Sequence, residues 1–481
     1  MMKRLNDNTA KHPAHPVRIL QFGEGNFLRA FFDWMIDVAN EKGITDASVA
    51  VVSPRFRAND TIKGLQRQNG LYHVILEGVE SGSPRRTTRL VRSITDAFSP
   101  ADDLDRYKAV ITSPDLRFIV SNTTEAGICY DEDEQVSLTA TSFPAKITAL
   151  LYHRYRHFGG NPDRGLIFLC CELIENNGSL LRDYVLRHAS EDGLGDDFIR
   201  WVENSCIFCD TLVDRIVSGF PSDSAGTICE EIGYTDNLLV KGELYHLWVI
   251  GGKDAPVVEK ELPLHRAGLN VRFLSSVKEF RDKKVRILNG SHTGMVPVAL
   301  QLGCSTVLDA FSHPDVNAFV NRMVETEVLP VIDGDPEDLK NFAGSILERF
   351  YNPYIRHMLR SISLNSLSKW ETRNFPTVRD QWEKNATLAD FELFSFAALL
   401  ALYAPDSGFS PDDNPDHLRI IKDNWNSADL HSTVSAIVNG GIFNENFETV
   451  VPGFSARVAG YLAVIREKGM ESALRQFLSA H

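Results

Sequence analysis

The stretch Val17-Arg-Ile-Leu-Gln-Phe22-Gly23-Glu-Gly25-Asn-Phe27-Leu-Arg29 decides the fold of the first half of the chain. Its first six residues form an apolar run that predicts a strand, and apolar side chains then recur at helical spacing over residues 26–40. Glycines at such a junction allow a tight turn and close approach of a diphosphate, which the free N–H groups of the helix start can bind. Glycine also ends many strands that bind nothing, so only the strand before the pair and the helix after it favour a dinucleotide loop.

The sequence therefore predicts a cofactor loop made of Phe22, Gly23, Glu24, Gly25, Asn26, Phe27, Leu28 and Arg29. Leu28 stands where such a loop has its third glycine, and Ser53-Pro54-Arg55 stands at the end of the second strand. An acid at that strand end would bond the ribose 2′-hydroxyl of NAD, whereas an arginine could accept the 2′-phosphate of NADP. On the residues alone, both NAD and NADP stay open.

Strand-like and helix-like segments alternate through the rest of the first half. Buried strands are predicted at residues 47–53, 118–122 and 166–173, and a helix at residues 145–157. This alternation predicts a parallel sheet with right-handed crossovers. Residues 71–79 and 88–94 alternate between apolar and polar side chains, which indicates an inserted hairpin.

Strand-like runs nearly vanish beyond residue 280. Asp335-Pro336 has the form of a helix start, and Leu339, Phe342, Ile346 and Phe350 then recur on one helix face. We therefore predict an α/β protein with an N-terminal Rossmann-type doubly wound parallel sheet over residues 1–279. A mainly α-helical domain for catalysis and substrate binding is predicted over residues 280–481.

Composition and charge exclude several classes of protein. The 481 residues are 43% hydrophobic and 24% charged, as in globular proteins, and the net charge of −14 argues against a nucleic-acid binder. The polar start lacks the apolar segment of a signal peptide. The longest apolar stretch, residues 391–404, is interrupted by Glu392 and Ser395 and predicts a buried helix instead of a membrane span. We expect a cytoplasmic protein, of an oligomeric state that the sequence leaves open.

The seven cysteines are scattered along the chain. Cys206 and Cys209 form a CxxC pair with Cys229 further on, but a zinc site would need a fourth ligand at suitable spacing, and none follows. We expect free structural thiols and no metal.

The stretch Lys284-Val-Arg-Ile-Leu-Asn289-Gly-Ser-His292 carries residues suited to carbonyl reduction. Reduction leaves a developing alkoxide, which needs a proton donor and hydrogen-bond donors directed at the oxygen. Burial lowers the pKa of a lysine, which suits Lys284 to the first task, and Asn289 and His292 suit the second. The small Gly290 and Ser291 would let a ligand approach. The alternative is that Lys284 is a solvated member of the charged run RDKK.

The pattern K-x4-N-x2-H resembles the signature of the mannitol dehydrogenase family, the polyol-specific long-chain dehydrogenases. The resemblance runs nearly end to end, because four further segments match the family in order: the loop at residues 23–30, Thr123-Thr-Glu125-Ala-Gly127, Leu212-Val-Asp214-Arg215-Ile, and Arg349-Phe-Tyr-Asn352-Pro353 with Lys369. It implies NAD as cofactor, no metal, and Lys284 as the acid and base. It also implies that Thr123 and Glu125 lie near the nicotinamide.

Two departures from the family pattern point to the substrate. Leu173 replaces an asparagine that mannitol dehydrogenases use to bind an oxyanion, and Ser361 replaces an arginine eight residues before Lys369. The segments QFGEGNFLRAF, SNTTEAGI, CELI and ILNGSHT resemble family members that act on sugar acids. The implied reaction interconverts D-tagaturonate and D-altronate, with D-fructuronate or mannitol as alternative substrates and an NAD-sensing regulator as the non-enzyme alternative.

A sugar acid needs a cation for its carboxylate, because the chain as a whole is acidic. Lys369 is the first candidate for this contact. Asp214 and Arg215 are further candidate substrate-binding residues, although an internal ion pair would explain them equally well.

Overall fold

The computed structural model describes residues 2–481 except Asp7, Thr9, residues 54–58, Ser81, residues 124–126 and Ile355, together with the side chain of Glu279. The chain forms two compact units. The first comprises residues 1–78 and 84–277, and the second comprises residues 79–83 and 278–481.

The strands of the described residues lie in the first unit, except that β4 ends and β5 begins in the segment 79–83 of the second unit. They are β1 (Lys3–Arg4), β2 (Val17–Phe22), β3 (Ser48–Val52), β4 (Tyr72–Glu80), β5 (Ser83–Val91), β6 (Ile94–Phe98), β7 (Phe118–Ser121), β8 (Ile167–Cys170), β9 (Ile207–Asp214), β10 (Val217–Gly219), β11 (Tyr234–Thr235), β12 (Val240–Glu243), β13 (Leu247–Gly251) and β14 (Val271–Leu274).

An eight-stranded sheet has the order β14-β13-β9-β8-β7-β2-β3-β6. From β6 to β9 the neighbouring strands run parallel, and only β13 pairs with β9 in the antiparallel sense. Numbered along the chain, its six parallel strands follow the order 3-2-1-4-5-6 of a Rossmann sheet. The predicted hairpin β4–β5 joins β10 and β12 in a separate four-stranded sheet.

Helices cover both faces of the large sheet. They are α1 (Asn26–Ala30), α2 (Phe32–Glu41), α3 (Asp60–Arg67), α4 (Leu104–Ile111), α5 (Phe143–His157), α6 (Asn177–Glu191), α7 (Asp196–Ser205), α8 (Ala225–Ile232) and α9 (Ala255–Glu261). Successive residues of β2 enter opposite cores, Ile19 with α2 and Leu20 with α4 to α7. The sheet is therefore buried on both faces, as a parallel sheet requires.

The second unit is helical. Its α-helices are α10 (Lys278–Lys284), α11 (Gly290–Gln301), α12 (Val307–Ser312), α13 (Pro314–Met323), α14 (Pro336–Phe350), α15 (Leu359–Ile362), α16 (Ser366–Arg373), α17 (Phe375–Asn385), α18 (Asp390–Tyr403), α19 (Pro415–Asn424), α20 (Leu430–Asn439), α21 (Phe447–Val450) and α22 (Phe454–Ala480). Helix α18 is buried from Phe391 to Tyr403 and packs against α11 and α22.

The predicted fold class is confirmed, and the structure adds four breaks in regular helical geometry among the described residues. The helix expected over residues 26–40 is divided at Phe31, and α22 is kinked at Gly469, where φ is 76°. Two π-turns, Val285–Asn289 and Val324–Val328, widen the helices of the second unit. In the described part of the chain, no helix has the length and apolar character needed to cross a membrane.

Candidate active site

The glycine loop lies where the strand order of the sheet reverses. β2 ends at Phe22 between β3 and β7, and the amide of Asn122, just after β7, donates to the Phe22 carbonyl over 3.1 Å. Gly23 has φ of 122°, and a Cβ there would lie 3.0 Å from the Asn122 carbonyl oxygen. A Cβ on Gly25 would instead enter open space. Dinucleotides bind at such a switch point, so the loop fits NAD in position and in clearance.

Arg29 holds the loop in shape. Its buried guanidinium donates to the Glu24 carbonyl over 3.2 Å, to the Leu238 carbonyl over 2.6 Å and to Asn26 Oδ1 over 2.6 Å. Its hydrogen bonds are thus made within the protein, which favours a positioning role over phosphate binding. Three apolar residues of the predicted loop also pack against other parts of the protein. Phe22 and Leu28 are buried, and Phe27 stacks on Phe31 with ring centres 4.9 Å apart.

The carboxylate of Glu172 holds Ser121 and Thr123 at the end of β7. Glu172 accepts hydrogen bonds from the Thr123 amide over 2.9 Å, the Thr123 hydroxyl over 3.0 Å and the Ser121 hydroxyl over 3.0 Å. Burial raises the pKa of Glu172, and these donors oppose the rise. Glu125, the second residue expected near the nicotinamide, lies outside the described residues. Leu173, where the polyol pattern departs, is exposed.

Asp214 and Arg215 follow one another at the end of β9, and both are buried. Arg215 donates to the backbone carbonyls of Ala30 over 2.5 Å, Tyr245 over 3.1 Å and Leu244 over 3.2 Å. Its guanidinium also lies over the Trp34 ring, 4.3 Å from the ring centre. Burial lowers the pKa of Arg215 to about 9. These contacts with backbone carbonyls favour a structural role for Arg215.

A π-turn brings the three candidate catalytic residues to one helix face. Lys284 precedes the turn, Asn289 ends it, and the Gly290 amide donates to the carbonyl of Val285, five residues back. Residues five apart would lie about 140° apart around an α-helix, whereas in a π-turn they lie nearly above one another. Lys284, Asn289 and His292 therefore point to the same side. The wider turn achieves an alignment that regular helical spacing would not.

His292 is held as a neutral imidazole. Burial lowers its pKa well below 6.5, and the nearby His357, Arg349 and Arg373 lower it further. The ring bonds the Leu288 carbonyl, and because Nε2 has no partner among the described residues, the bond comes from Nδ1–H. The unprotonated Nε2 is then a hydrogen-bond acceptor. The sequence predicted a donor at this position, so the local hydrogen bond changes the expected role.

Two cations lie four residues apart on α16, on one helix face. Lys369 Nζ donates to the Ile362 carbonyl over 3.0 Å, and Arg373 Nη1 donates to the Thr293 hydroxyl over 3.3 Å. Burial lowers the pKa of each, and the charge of Arg373 lowers that of Lys369 further. Within the described residues, neither has a carboxylate partner at ion-pair distance. Sequence reasoning missed Arg373, and its spacing from Lys369 was the available signal.

Asn374 ties the start of α11 to α18. Its Nδ2 donates to the Gly290 carbonyl over 3.0 Å and to Glu392 Oε2 over 2.8 Å. Glu392 is fully buried, and burial raises its pKa to about 8. A Cβ on Gly290 would lie 3.4 Å from the Arg373 carbonyl oxygen, which is an ordinary van der Waals contact, so helix packing does not require a glycine here and ligand access stays a prediction.

The cysteines of the CxxC pair and Cys229 are free thiols, and all three are buried. Among the described residues, no three or more His, Cys, Asp or Glu side chains are grouped as metal ligands.

Comparison with known proteins covers both units. Residues 17–265 match the mannitol dehydrogenase Rossmann domain, and residues 276–427 match the mannitol dehydrogenase C-terminal domain. Altronate oxidoreductase of Bacillus subtilis (strain 168) is 43% identical over 485 residues, which cover 99% of this chain and 98% of that protein.

Two solved structures share the fold. D-sorbitol dehydrogenase in substrate-free form superposes with a TM-score of 0.81 at 20% identity, over 98% of this chain and 100% of that one. Pseudomonas fluorescens mannitol 2-dehydrogenase, in a ternary complex with NAD and D-mannitol, gives a TM-score of 0.69 at 19% identity over both whole chains. Together with the matched domains and the close relative, these likenesses confirm the resemblance read from the motifs: this chain belongs to the mannitol dehydrogenase family.

Proposed function

We propose that this chain is an NAD-dependent oxidoreductase that interconverts D-tagaturonate and D-altronate, with Lys284 as the general acid and base. The substrate is suggested by the name of the Bacillus subtilis relative, altronate oxidoreductase. D-Tagaturonate is the ketone that corresponds to this alcohol. The observation that carries the mechanism is the π-turn, which gathers an amine, an amide and an imidazole on one helix face.

Lys284 is suited to move the proton. In the direction of reduction, its ammonium gives a proton to the oxygen of the former carbonyl. In the direction of oxidation, its neutral amine takes the proton from the alcohol. Asn289 lies one π-turn away, and its amide N–H groups can donate to the same oxygen and stabilise the charge that develops there.

His292 is suited to orient the substrate. Its Nε2 is an acceptor, so it can receive a hydrogen bond from a substrate hydroxyl without competing for the proton of Lys284. The pKa of His292 lies well below 6.5, which keeps the ring neutral at physiological pH. Asn289 would then polarise the reacting oxygen while His292 fixes a hydroxyl.

The carboxylate of the substrate is assigned to Lys369 together with Arg373. Both are partly buried, they share one face of α16, and neither forms an ion pair with a carboxylate of the described residues. Arg373 also contributes to the positive surroundings of His292. In a chain with a net charge of −14, such a pair supplies the local attraction that an anionic substrate needs.

NAD is the proposed cofactor, since mannitol 2-dehydrogenase of the same fold was solved with it. When bound, this cofactor would supply the hydride exchange with the alcohol or keto carbon of the substrate. The residues that would hold it are Gly23 and Gly25, which allow close approach, and Thr123, whose loop Glu172 fixes.

The substrate assignment is tested by following NADH absorbance with D-tagaturonate, D-fructuronate and D-fructose offered separately. We expect turnover with D-tagaturonate and little with the other two. Turnover of none of the three would refute the oxidoreductase assignment. A clear preference for D-fructuronate would refute only the choice of substrate.

The role of Lys284 is tested with Lys284→Ala and the matched control Lys283→Ala, which changes the neighbouring lysine. Because removal of a general acid costs about 10²- to 10⁴-fold, we expect at least that loss of kcat with Lys284→Ala. NADH binding, measured by nucleotide fluorescence, should be unchanged in both variants. Near-normal kcat in Lys284→Ala would remove this lysine from proton transfer.

A further inference from the structure

The first unit lacks the acid that Rossmann sheets place at the end of the second strand. That residue bonds the ribose 2′-hydroxyl in NAD-specific proteins. Here the second strand of the sheet, β3, ends at Val52 and is followed by Ser53. The next residues of the sequence, Pro54 and Arg55, lie outside the described residues. Glu24, in the glycine loop after β2, is an acid that could bond the ribose instead.

The side chain of Glu24 reaches toward the segment that follows β3. Its Oε1 accepts a hydrogen bond from Asn59 Nδ2. Asn59 caps α3, with its Oδ1 accepting from the amides of Thr61 and Ile62 at 3.0 Å each. The contact thus fixes the carboxylate on the β3 side of the loop, where a Rossmann sheet receives the adenosine ribose.

The second oxygen of the Glu24 carboxylate, Oε2, has no partner among the residues that the structure describes. Glu24 is only 7% exposed, and its Oε2 is buried without a hydrogen bond from any described residue. The nearby Arg29 bonds the backbone carbonyl of Glu24 instead of this oxygen. A buried carboxylate oxygen without donors is costly. The 2′- and 3′-hydroxyls of a ribose are donors of the kind it lacks.

We propose that Glu24 binds the hydroxyls of the adenosine ribose and thereby makes the loop select NAD over NADP. This rests on the proposed use of a nicotinamide dinucleotide. The acid that reads the ribose then comes from the centre of the glycine pair and not from the end of the second strand. A 2′-phosphate at the same place would face the carboxylate, and like charges at short range repel.

The test is direct binding of NADH and of NADPH to the full-length protein, measured by nucleotide fluorescence without substrate. In the wild type, NADH should bind at least about tenfold more tightly than NADPH, the ratio expected of a charged hydrogen bond. Glu24→Gln keeps an oxygen that can accept from Asn59, so the loop should stay folded. We expect this variant to lower the ratio of the Kd for NADPH to the Kd for NADH about tenfold or more.

The matched control is Asp60→Asn, which removes the same charge from an exposed residue next to Asn59 and should leave the ratio unchanged. The proposal is overturned if the wild type binds NADPH as tightly as NADH, if Glu24→Gln leaves the ratio unchanged, or if Asp60→Asn lowers it equally. Selection of NADH that depends on Glu24 supports the proposal even if D-tagaturonate is not turned over, an outcome that would refute the proposed reaction alone.

Discussion

Replacing Glu392 with glutamine is expected to stabilise the second unit at alkaline pH. The pKa of Glu392 is raised from 4.5 to about 8, chiefly because the carboxyl is fully buried. The folded chain therefore keeps a proton there that the unfolded chain loses near pH 4.5. Stability from this group is fully present below pH 4.5 and is lost as the pH rises through 8. Glutamine is always neutral, and its oxygen can still accept the hydrogen bond from Asn374.

The expected gain in the free energy of unfolding follows from the pKa of Glu392 in the folded and in the unfolded chain. They differ by roughly 3.5, and each pKa unit corresponds to about 1.4 kcal/mol, so the variant gains at most about 5 kcal/mol above pH 8. Near pH 4.5 the gain should be close to zero. For a unit of this size, 1 kcal/mol moves the thermal midpoint by about 2–4 °C. We therefore expect a rise of at most about 10–20 °C at pH 9.

The assay is thermal unfolding followed by circular dichroism from pH 5.5 to pH 9, on the wild type and on Glu392→Gln. The matched control is Glu383→Gln, which removes an exposed carboxylate from α17. The prediction is judged by the difference in thermal midpoint between the variant and the wild type, measured at each pH. If that difference does not grow with pH, or if Glu383→Gln gives the same growth, Glu392 is not held neutral by burial.

Two further substitutions test the substrate pocket and the glycine loop. Arg373→Gln should raise the KM for the sugar acid about tenfold or more, since a charged hydrogen bond is lost. Turnover of the ketose that carries a hydroxymethyl group in place of the carboxylate should not change, and an equal loss for both would contradict the assignment. Gly23→Ala should lower stability by about 1–3 kcal/mol and weaken NADH binding, because φ is 122° and the new Cβ would lie 3.0 Å from the Asn122 oxygen. Thermal unfolding and nucleotide fluorescence measure these effects, and an unchanged Kd would mean that the loop tolerates the added atom.

The parts of the fold that local sequence determines could be predicted. The run Val17–Phe22 is β2, and the apolar stretch containing Glu392 and Ser395 is the buried helix α18. Strand period, helix period and glycines are local properties, so a single sequence carries them. The place of Gly23 at the switch point beside β7 was not predicted, because the order of strands depends on pairing between distant segments.

The details of the candidate site depend on contacts between distant segments. Helical spacing assumes the same number of residues in every turn, so the π-turn after Lys284 could not be read from it. Asn374 bonds the Gly290 carbonyl from 84 residues away along the chain, and Glu392 was visible only as an interruption of an apolar run. The role of Glu24 was equally hidden, because its contact with Asn59 joins two loops.

The π-turn also bears on how such a chain can change over generations. A π-turn holds one residue more than the α-helical turn it replaces. Deleting one codon between Lys284 and Asn289 would restore an ordinary helical turn and leave the two residues four apart, about 40° around the helix, so the amine and the amide would keep a common face. Inserting the codon again would rebuild the wider turn with the same result. One residue can therefore be gained or lost at this point without dispersing the three side chains, so the length of this segment is free to differ between related chains.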